Sequence, residues 1–264
     1  MPLTFSKYHG AQNDFLIIAD QDEKFPINQQ LIAALCHRKV GVGADGVLLL
    51  QRSEKADCRM RIFNADGGEA MMCGNGLRCL VAFAKDQGMR CDCVEVGTRV
   101  VQCTVEGEWI TIDLGPYTRR QLMIDTQHVH LVDVGVPHAV VFVSDHHQVM
   151  KDVKCFNKHV AFGKEGANLN FAVFKEGKLY TRTFERGVGE TAACGSGAAA
   201  VAIVAQEKYG VQNPVTIVPL SKEELRVSVF SDRVLLSGKA TFVFHGSTRS
   251  SNEYDNRHPE GNQR

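Results

Sequence analysis

The sequence predicts an α+β protein of two similar domains, each an antiparallel sheet wrapped around one helix. Three observations carry that prediction. A cysteine–glycine pattern occurs twice, as Cys73-Gly74-Asn75-Gly76 and Cys194-Gly195-Ser196-Gly197. Its surroundings repeat with it at an offset of 121 residues. The segments between alternate apolar and polar residues around turn signals, and such hairpins outnumber strand–helix–strand crossovers.

The duplication is measurable. Laid over 184–205, residues 63–84 match without a gap at Phe63/Phe184, Gly68/Gly189, Glu69/Glu190, Cys73/Cys194, Gly74/Gly195, Gly76/Gly197 and Ala84/Ala205. Average composition would give about one or two matches in such a window. Gly10-Ala11-Gln12-Asn13 also echoes Gly135-Val136-Pro137-His138, and Gly43-Ala44-Asp45 echoes Gly166-Ala167-Asn168. Two copies at this period imply two related domains rather than a solenoid. The division expected is 1–117 with Cys73, 118–246 with Cys194, and a polar, disordered tail from 247 to 264.

In chain order, strands are expected at 15–19, 47–51 and 59–63, then a hairpin at 100–105 and 109–114 around Gly107. The second copy gives strands at 139–143, 169–174 and 179–184, the last two joined through Glu176-Gly177. Further strands fall at 215–218, 225–230, 234–237 and 241–244. Helices are expected at 28–38, 74–87, 148–159 and 195–209. Leu77, Leu80, Val81 and Ala84 keep helical spacing, and Gly88 and Gly210 are natural stops. The run Ala198–Ala202 suits a tightly enclosed helix.

Composition narrows the function. The chain has 264 residues, 44% hydrophobic and 23% charged, with 30 basic and 30 acidic side chains. That balance offers no basic field for nucleic acid or an anionic membrane. Met1–Gly10 lacks a signal-peptide layout, and no apolar run approaches the ~18 residues of a membrane span. A cytoplasmic protein is expected. Nine cysteines, an odd number without a leader, argue against a disulfide framework. Their spacings do not match a zinc site, so no metal is expected. Cys36, Cys58, Cys79, Cys91, Cys103 and Cys155 read as small buried hydrophobes.

Cys73 and Cys194 are different. Each directly precedes a helix, where backbone N–H groups stabilise a thiolate. Such a thiol can act as base or acid at neutral pH. Two of them suit abstraction of a proton beside a carboxylate and its return from the other face. One helix dipole contributes about 0.3–1 kcal/mol, whereas one aimed oxyanion donor contributes about 2.7–4 kcal/mol. Several N–H groups at the two helix starts must therefore share the charge, and the paired glycines allow close approach. Packing alone gives no reason to keep Cys-Gly-x-Gly and the upstream glutamate in both halves. The glycine run 41–46 fits G-x-G-x-x-G, but its strand and helix stand in the wrong order. Gly187–Ala192 lacks a following parallel strand with an acidic end, so nucleotide binding is rejected.

The stretches His9-Gly10…Asn13-Asp14-Phe15, Arg61–Gly67, Cys73–Gly76 and Glu185–Thr191, running on through Cys194-Gly195, resemble the diaminopimelate epimerases, cofactor-independent enzymes of lysine and peptidoglycan-precursor synthesis. The likeness spans residues 5 to about 246. It implies two domains facing each other across an active-site cleft, each a β-barrel-like sheet around a central helix. It implies that Cys73 and Cys194 are the thiolate/thiol pair and that His138 and Glu185 support the proton transfers. Asn13, Asn64, Asn168, Glu185 and Arg186 would bind substrate, while Gly74, Asn75, Gly195 and Ser196 donate to its reacting carboxylate. The implied partner is a small amino acid, with no cofactor, and family members are commonly homodimers.

Three positions depart from that family. Val136 stands where a substrate-binding asparagine is usual, Ser196 replaces threonine, and Gly68 replaces a common serine. Val136 keeps a broader amino-acid racemase with the same two thiols as a rival reading. A pyridoxal-phosphate racemase and a non-catalytic redox or binding module are further alternatives.

Overall fold

The computed structural model describes residues 2–248, apart from 125, 146–152, 154–158 and 165. By contacts the chain divides into Met1–Thr104 with Ala240–Arg264, and Val105–Lys239. This differs from a single cut at 117/118, and strand pairing explains why. The last strand, β18 (Thr241–Ser247), pairs antiparallel with the first, β1 (Thr4–Gly10). Meanwhile β8 (Trp109–Gly115) pairs with β17 (Val234–Lys239).

In the first unit the ladder runs from β18 through β1, β2 (Asn13–Ala19), β3 (Gly46–Gln51), β4 (Cys58–Asn64) and β6 (Cys93–Val96) to β7 (Arg99–Glu106). A short β5 (Glu69–Ala70) returns along β4. In the second unit it runs from β9 (Thr118–Ile124) through β10 (Gln127–Asp133), β11 (Pro137–Phe142), β12 (Asn168–Lys175) and β13 (Lys178–Glu185). It continues through β15 (Val215–Val218) and β16 (Leu225–Val229) to β17 and β8. Here β14 (Gly189–Thr191) returns along β13.

The two ladders share one rule. Pairing is antiparallel except at β2–β3 and β4–β6 in the first unit and β11–β12 and β13–β15 in the second. The architecture is therefore the expected α+β duplication. The segment after Cys194 leads to a parallel strand, β15. That strand ends on Val218 rather than an acidic residue, so the dinucleotide pattern is still unmet.

Each ladder surrounds a helix. In the first unit α2 (Gly74–Asp86) touches β1, β2, β3, β4 and β18. In the second, α3 (Gly195–Tyr209) touches β10 to β13 and β15 to β17. Residues 197–205 of α3 are all buried. A helix apolar on every side is stable only when sheet encloses it, and its alanines permit the close approach. The third helix, α1 (Gln29–Cys36), starts where the Asn28 side chain accepts from the N–H groups of Gln30 and Leu31. It ends two residues before the expected Arg38, because His37 turns extended.

Strands β1, β5, β6, β9, β10 and β14 went unpredicted. β1 carries Lys7 and His9 at positions that break its apolar run, yet Lys7 is satisfied by Asp14 and the Gly43 carbonyl. β9 is exposed along most of its length, so it offers little apolar signal. The helix expected at 148–159 and the cysteine at 155 lie almost wholly outside the described residues, as does the tail beyond Thr248. Cys36, Cys58, Cys79, Cys91 and Cys103 are buried, as expected. Among the described residues, no helix is long and apolar enough to cross a membrane.

Candidate active site

The first half-site is built on the start of α2. Cys73 is its N-cap, in extended backbone, and its Sγ accepts from the Gly76 N–H at 3.4 Å. The thiol also reaches Asn13 Oδ1 at 3.6 Å. Asn13 follows the β1–β2 turn, where Ala11 and Gln12 both hold positive φ, 54° and 67°. That is the twist a two-residue hairpin needs, here taken by two residues with side chains. Asn13 donates through Nδ2 to Asp45 Oδ2 at 2.9 Å. Arg38 bonds both Asp45 and Asp14. Burial would raise the Asp14 pKa, but bonds from Arg38 and Lys7 outweigh it and hold it at about 2.

Asn75 lies beside this network, 3% exposed, and donates to Asn13 Oδ1 at 3.4 Å. Its own Oδ1 accepts from Arg78 Nη2 at 2.8 Å, and Arg78 Nη1 reaches the Gly74 carbonyl. Arg78 is fully buried. Sequence reasoning missed it, since it reads as one polar face of a helix. The sign available was its mismatch with Ala199 at the equivalent place in the repeat.

The second half-site is built on the start of α3. Cys194 is the N-cap, 9% exposed, and its Sγ lies 3.4 Å from Ser196 Oγ. Ser196 Oγ is 2.9 Å from His138 Nε2. His138 is fully buried near the start of β11, paired in register with Asn168 on β12. Burial pushes its pKa down to about 3, with Arg186 adding to the effect against a bond from Asn170. The imidazole is neutral at physiological pH. Behind it Asn170 Nδ2 lies 3.0 Å from His138 Nδ1, while Asn170 Oδ1 accepts from Thr183 Oγ1 at 3.1 Å. Asn170 and Thr183 were also missed, because both read as inward positions of ordinary strands.

The structure thus gathers Cys73, Asn13, Asn75 and Gly74 in one unit and Cys194, Ser196, His138 and Gly195 in the other. Asn168 is buried and accepts the Arg186 backbone N–H at 3.0 Å. The Arg186 side chain projects from an exposed residue beyond β13. Glu185, at the end of β13, accepts from Thr191 Oγ1 at 2.7 Å. Asn64 is exposed at the end of β4, its backbone closing a turn with Gly67 and Gly68.

The repeated glutamate has a structural explanation that sequence reasoning lacked. Glu69 takes a two-pronged bond from Arg61 across β4–β5, and Glu190 takes the same bond from Arg182 across β13–β14. Each arginine also lies over a phenylalanine two residues on, Phe63 or Phe184. The bond from Arg61 lowers the Glu69 pKa despite opposing burial. These clamps hold the short return strand that delivers each cysteine to its helix.

The diaminopimelate epimerase family model matches residues 5–120 and 130–243. The chain is 33% identical to a diaminopimelate epimerase of Archaeoglobus fulgidus, over 94% of this chain and 97% of that protein. It is 36% identical to one of Methanothrix thermoacetophila, over 92% and 95%. Among solved structures, a PhzF-family phenazine biosynthesis protein of Bacillus anthracis superposes with a TM-score of 0.74 at 13% identity, covering 94% of this chain and 99% of that one. A hydroxyproline epimerase of Agrobacterium vitis gives 0.65 at 12%, covering 93% and 92%. These two show a shared fold. With the family model spanning both halves and the relatives matching almost end to end, the chain belongs to the diaminopimelate epimerase family.

Proposed function

We propose that this chain interconverts L,L- and meso-diaminopimelate at one α-carbon by two-base proton transfer between Cys73 and Cys194, without a cofactor, in lysine and peptidoglycan-precursor synthesis. The observation that carries this reading is the placement of both cysteines as N-caps of enclosed helices, each with a polar network behind it. One thiolate takes the α-hydrogen as a proton, and its electron pair passes onto the substrate carboxylate. N–H groups at a helix start stabilise that charge. The other thiol then donates its proton to the opposite face of the carbanion. The first sulfur leaves protonated and the second leaves ionised, so the balance is closed and the centre inverted.

His138 and Glu185 tune the protonation of the thiols in this reading. Asn13, Asn64, Asn168 and Arg186 hold the amino-acid ends, and Gly74, Asn75, Gly195 and Ser196 serve the reacting carboxylate. The enzyme acts as a cytoplasmic homodimer. The test is incubation with diaminopimelate in D₂O under reducing conditions with no added cofactor. Deuterium at Cα supports the reading, and loss of net inversion in both Cys73→Ser and Cys194→Ser assigns the two thiols. Absence of α-exchange in the wild type sinks it.

One observation favours broader specificity. Val136 sits half-buried in the turn before β11, two residues from His138, with its carbonyl accepting from Val134. It brings no side-chain donor where the family has an amide. Ranking glutamate, aspartate and lysine in the same assay separates the two readings.

A further inference from the structure

Both cysteines stand on helix N-termini, so the helix dipole does not distinguish them. The groups their sulfurs face do. In each half, a chain of side-chain amides has its orientation fixed by partners that can only accept or only donate.

In the first unit, Asp45 is a carboxylate bonded by Arg38, and it takes Asn13 Nδ2 at 2.9 Å. This turns Asn13 Oδ1 toward Cys73. Arg78, which can only donate, holds Asn75 Oδ1 at 2.8 Å and so turns Asn75 Nδ2 onto the same Asn13 oxygen. Two independent constraints agree that Cys73 faces a carbonyl oxygen at 3.6 Å. A thiol donates there, whereas a thiolate meets the negative end of a dipole. The Gly76 N–H at 3.4 Å is compatible with either form.

In the second unit, Asn170 Nδ2 lies 3.3 Å from the Asn168 carbonyl and 3.5 Å from the Ala139 carbonyl, two groups that only accept. Its amide nitrogen therefore faces His138 Nδ1, which must be the unprotonated ring nitrogen. The His138 proton is then on Nε2, which donates to Ser196 Oγ at 2.9 Å. The remaining hydroxyl proton points to Cys194 at 3.4 Å. Every bond in the chain Asn170–His138–Ser196–Cys194 runs toward the sulfur, which is the arrangement a thiolate requires.

Within the thiolate/thiol pair of the two-thiol reading, we infer that Cys194 is the thiolate and Cys73 the thiol of the resting enzyme, and that Asn170 and Asn13 are the positioning residues that impose this assignment. The inference rests on the two-thiol reading above. It makes Cys194 the ready base of the free enzyme, and the isomer presenting its α-hydrogen to Cys194 the one that enters directly.

The test is competitive alkylation of the free, reduced protein by limiting iodoacetamide at neutral pH, with each cysteine followed by peptide mapping. Reaction tracks the thiolate fraction. Cys194 is expected to react about tenfold faster than Cys73, although it is the more buried of the two. Equal rates, or Cys73 first, overturn the inference. Ser196→Ala should slow Cys194 alone, and Ser196→Thr should restore it. An unchanged Cys194 rate in Ser196→Ala also overturns it. Imidazole ¹⁵N spectra of the wild type should show the proton of His138 on Nε2, and a proton on Nδ1 removes the argument. If Cys73→Ser and Cys194→Ser both lose epimerisation while alkylation is unselective, only this inference fails. If either variant keeps full epimerisation, the two-thiol reading itself fails.

Discussion

The second glycine of each Cys-Gly-x-Gly motif should respond very differently to a methyl group. A Cβ on Gly76 would meet Leu48 Cδ2 at 3.3 Å, Phe15 Cζ at 3.4 Å and Ile62 Cδ1 at 3.5 Å. These are ends of apolar side chains that can give by a few tenths of an ångström. A Cβ on Gly197 would lie 2.3 Å from Asn170 Oδ1. That atom ends a side chain, but Asn170 is fully buried and bonded to Thr183, His138 and the Asn168 carbonyl. It has nowhere to go without breaking those bonds.

Alanine favours a helix over glycine by about 0.5–1 kcal/mol. For Gly76→Ala that gain nearly offsets the tight contact, and the net change should stay within about 1 kcal/mol. For Gly197→Ala the opposing costs are overpacking, about 1–3 kcal/mol, and disrupted buried hydrogen bonds, about 1–3 kcal/mol for each group left unsatisfied. A net loss of about 2–4 kcal/mol follows, or roughly 5–12 °C in the melting temperature. Displacing Asn170 by about 1 Å also moves His138 and Ser196, so kcat should fall about 10²-fold. Calorimetry and the epimerisation assay on both variants read these values. If Gly197→Ala melts within about 2 °C of Gly76→Ala and keeps half the wild-type kcat, the claim that Asn170 is wedged against α3 is wrong.

Three further outcomes are expected. The His138 pKa is depressed in the folded state, so the unfolded chain binds a proton that the native protein does not. Stability should therefore fall as pH drops below about 6.5, by about 2 kcal/mol at pH 5, and urea melts should show His138→Asn losing that much less between pH 7 and pH 5. Glu190→Gln removes a partly exposed clamp with Arg182 and should cost under about 1 kcal/mol while leaving most of kcat, whereas Glu185→Gln should lower kcat at unchanged stability. Equal kcat losses in the two would show that Glu185 has no special part. Val136→Asn should raise the kcat/KM preference for diaminopimelate over shorter amino acids, and unchanged relative values would remove Val136 from specificity.

The duplication was legible because α2 and α3 must each be apolar enough to be enclosed, and because the Arg–Glu clamps recur at the same spacing. What the sequence concealed lies in the differences between the halves. The clamps made Glu69 and Glu190 look like chemistry, because a repeat preserves structural pairs as faithfully as functional ones. Conversely Asn170 and Arg78 looked ordinary, one on an inward strand position and the other on a helix. Their importance comes from direction: an arginine can only donate, and a backbone carbonyl can only accept. Those asymmetries propagate through Asn75 and Asn13 to one sulfur, and through His138 and Ser196 to the other. Periodicity cannot report them, because it records which residues face inward and not which way an amide is turned. The two halves share a scaffold that presents a cysteine on a helix start, and they differ in the polarity of what faces it. In the two-thiol reading proposed above, reacting groups identical in surroundings would leave no preferred proton to begin with. The replacement of Asn75 and Arg78 by Ser196 and Ala199, with His138 and Asn170 behind them, breaks that tie.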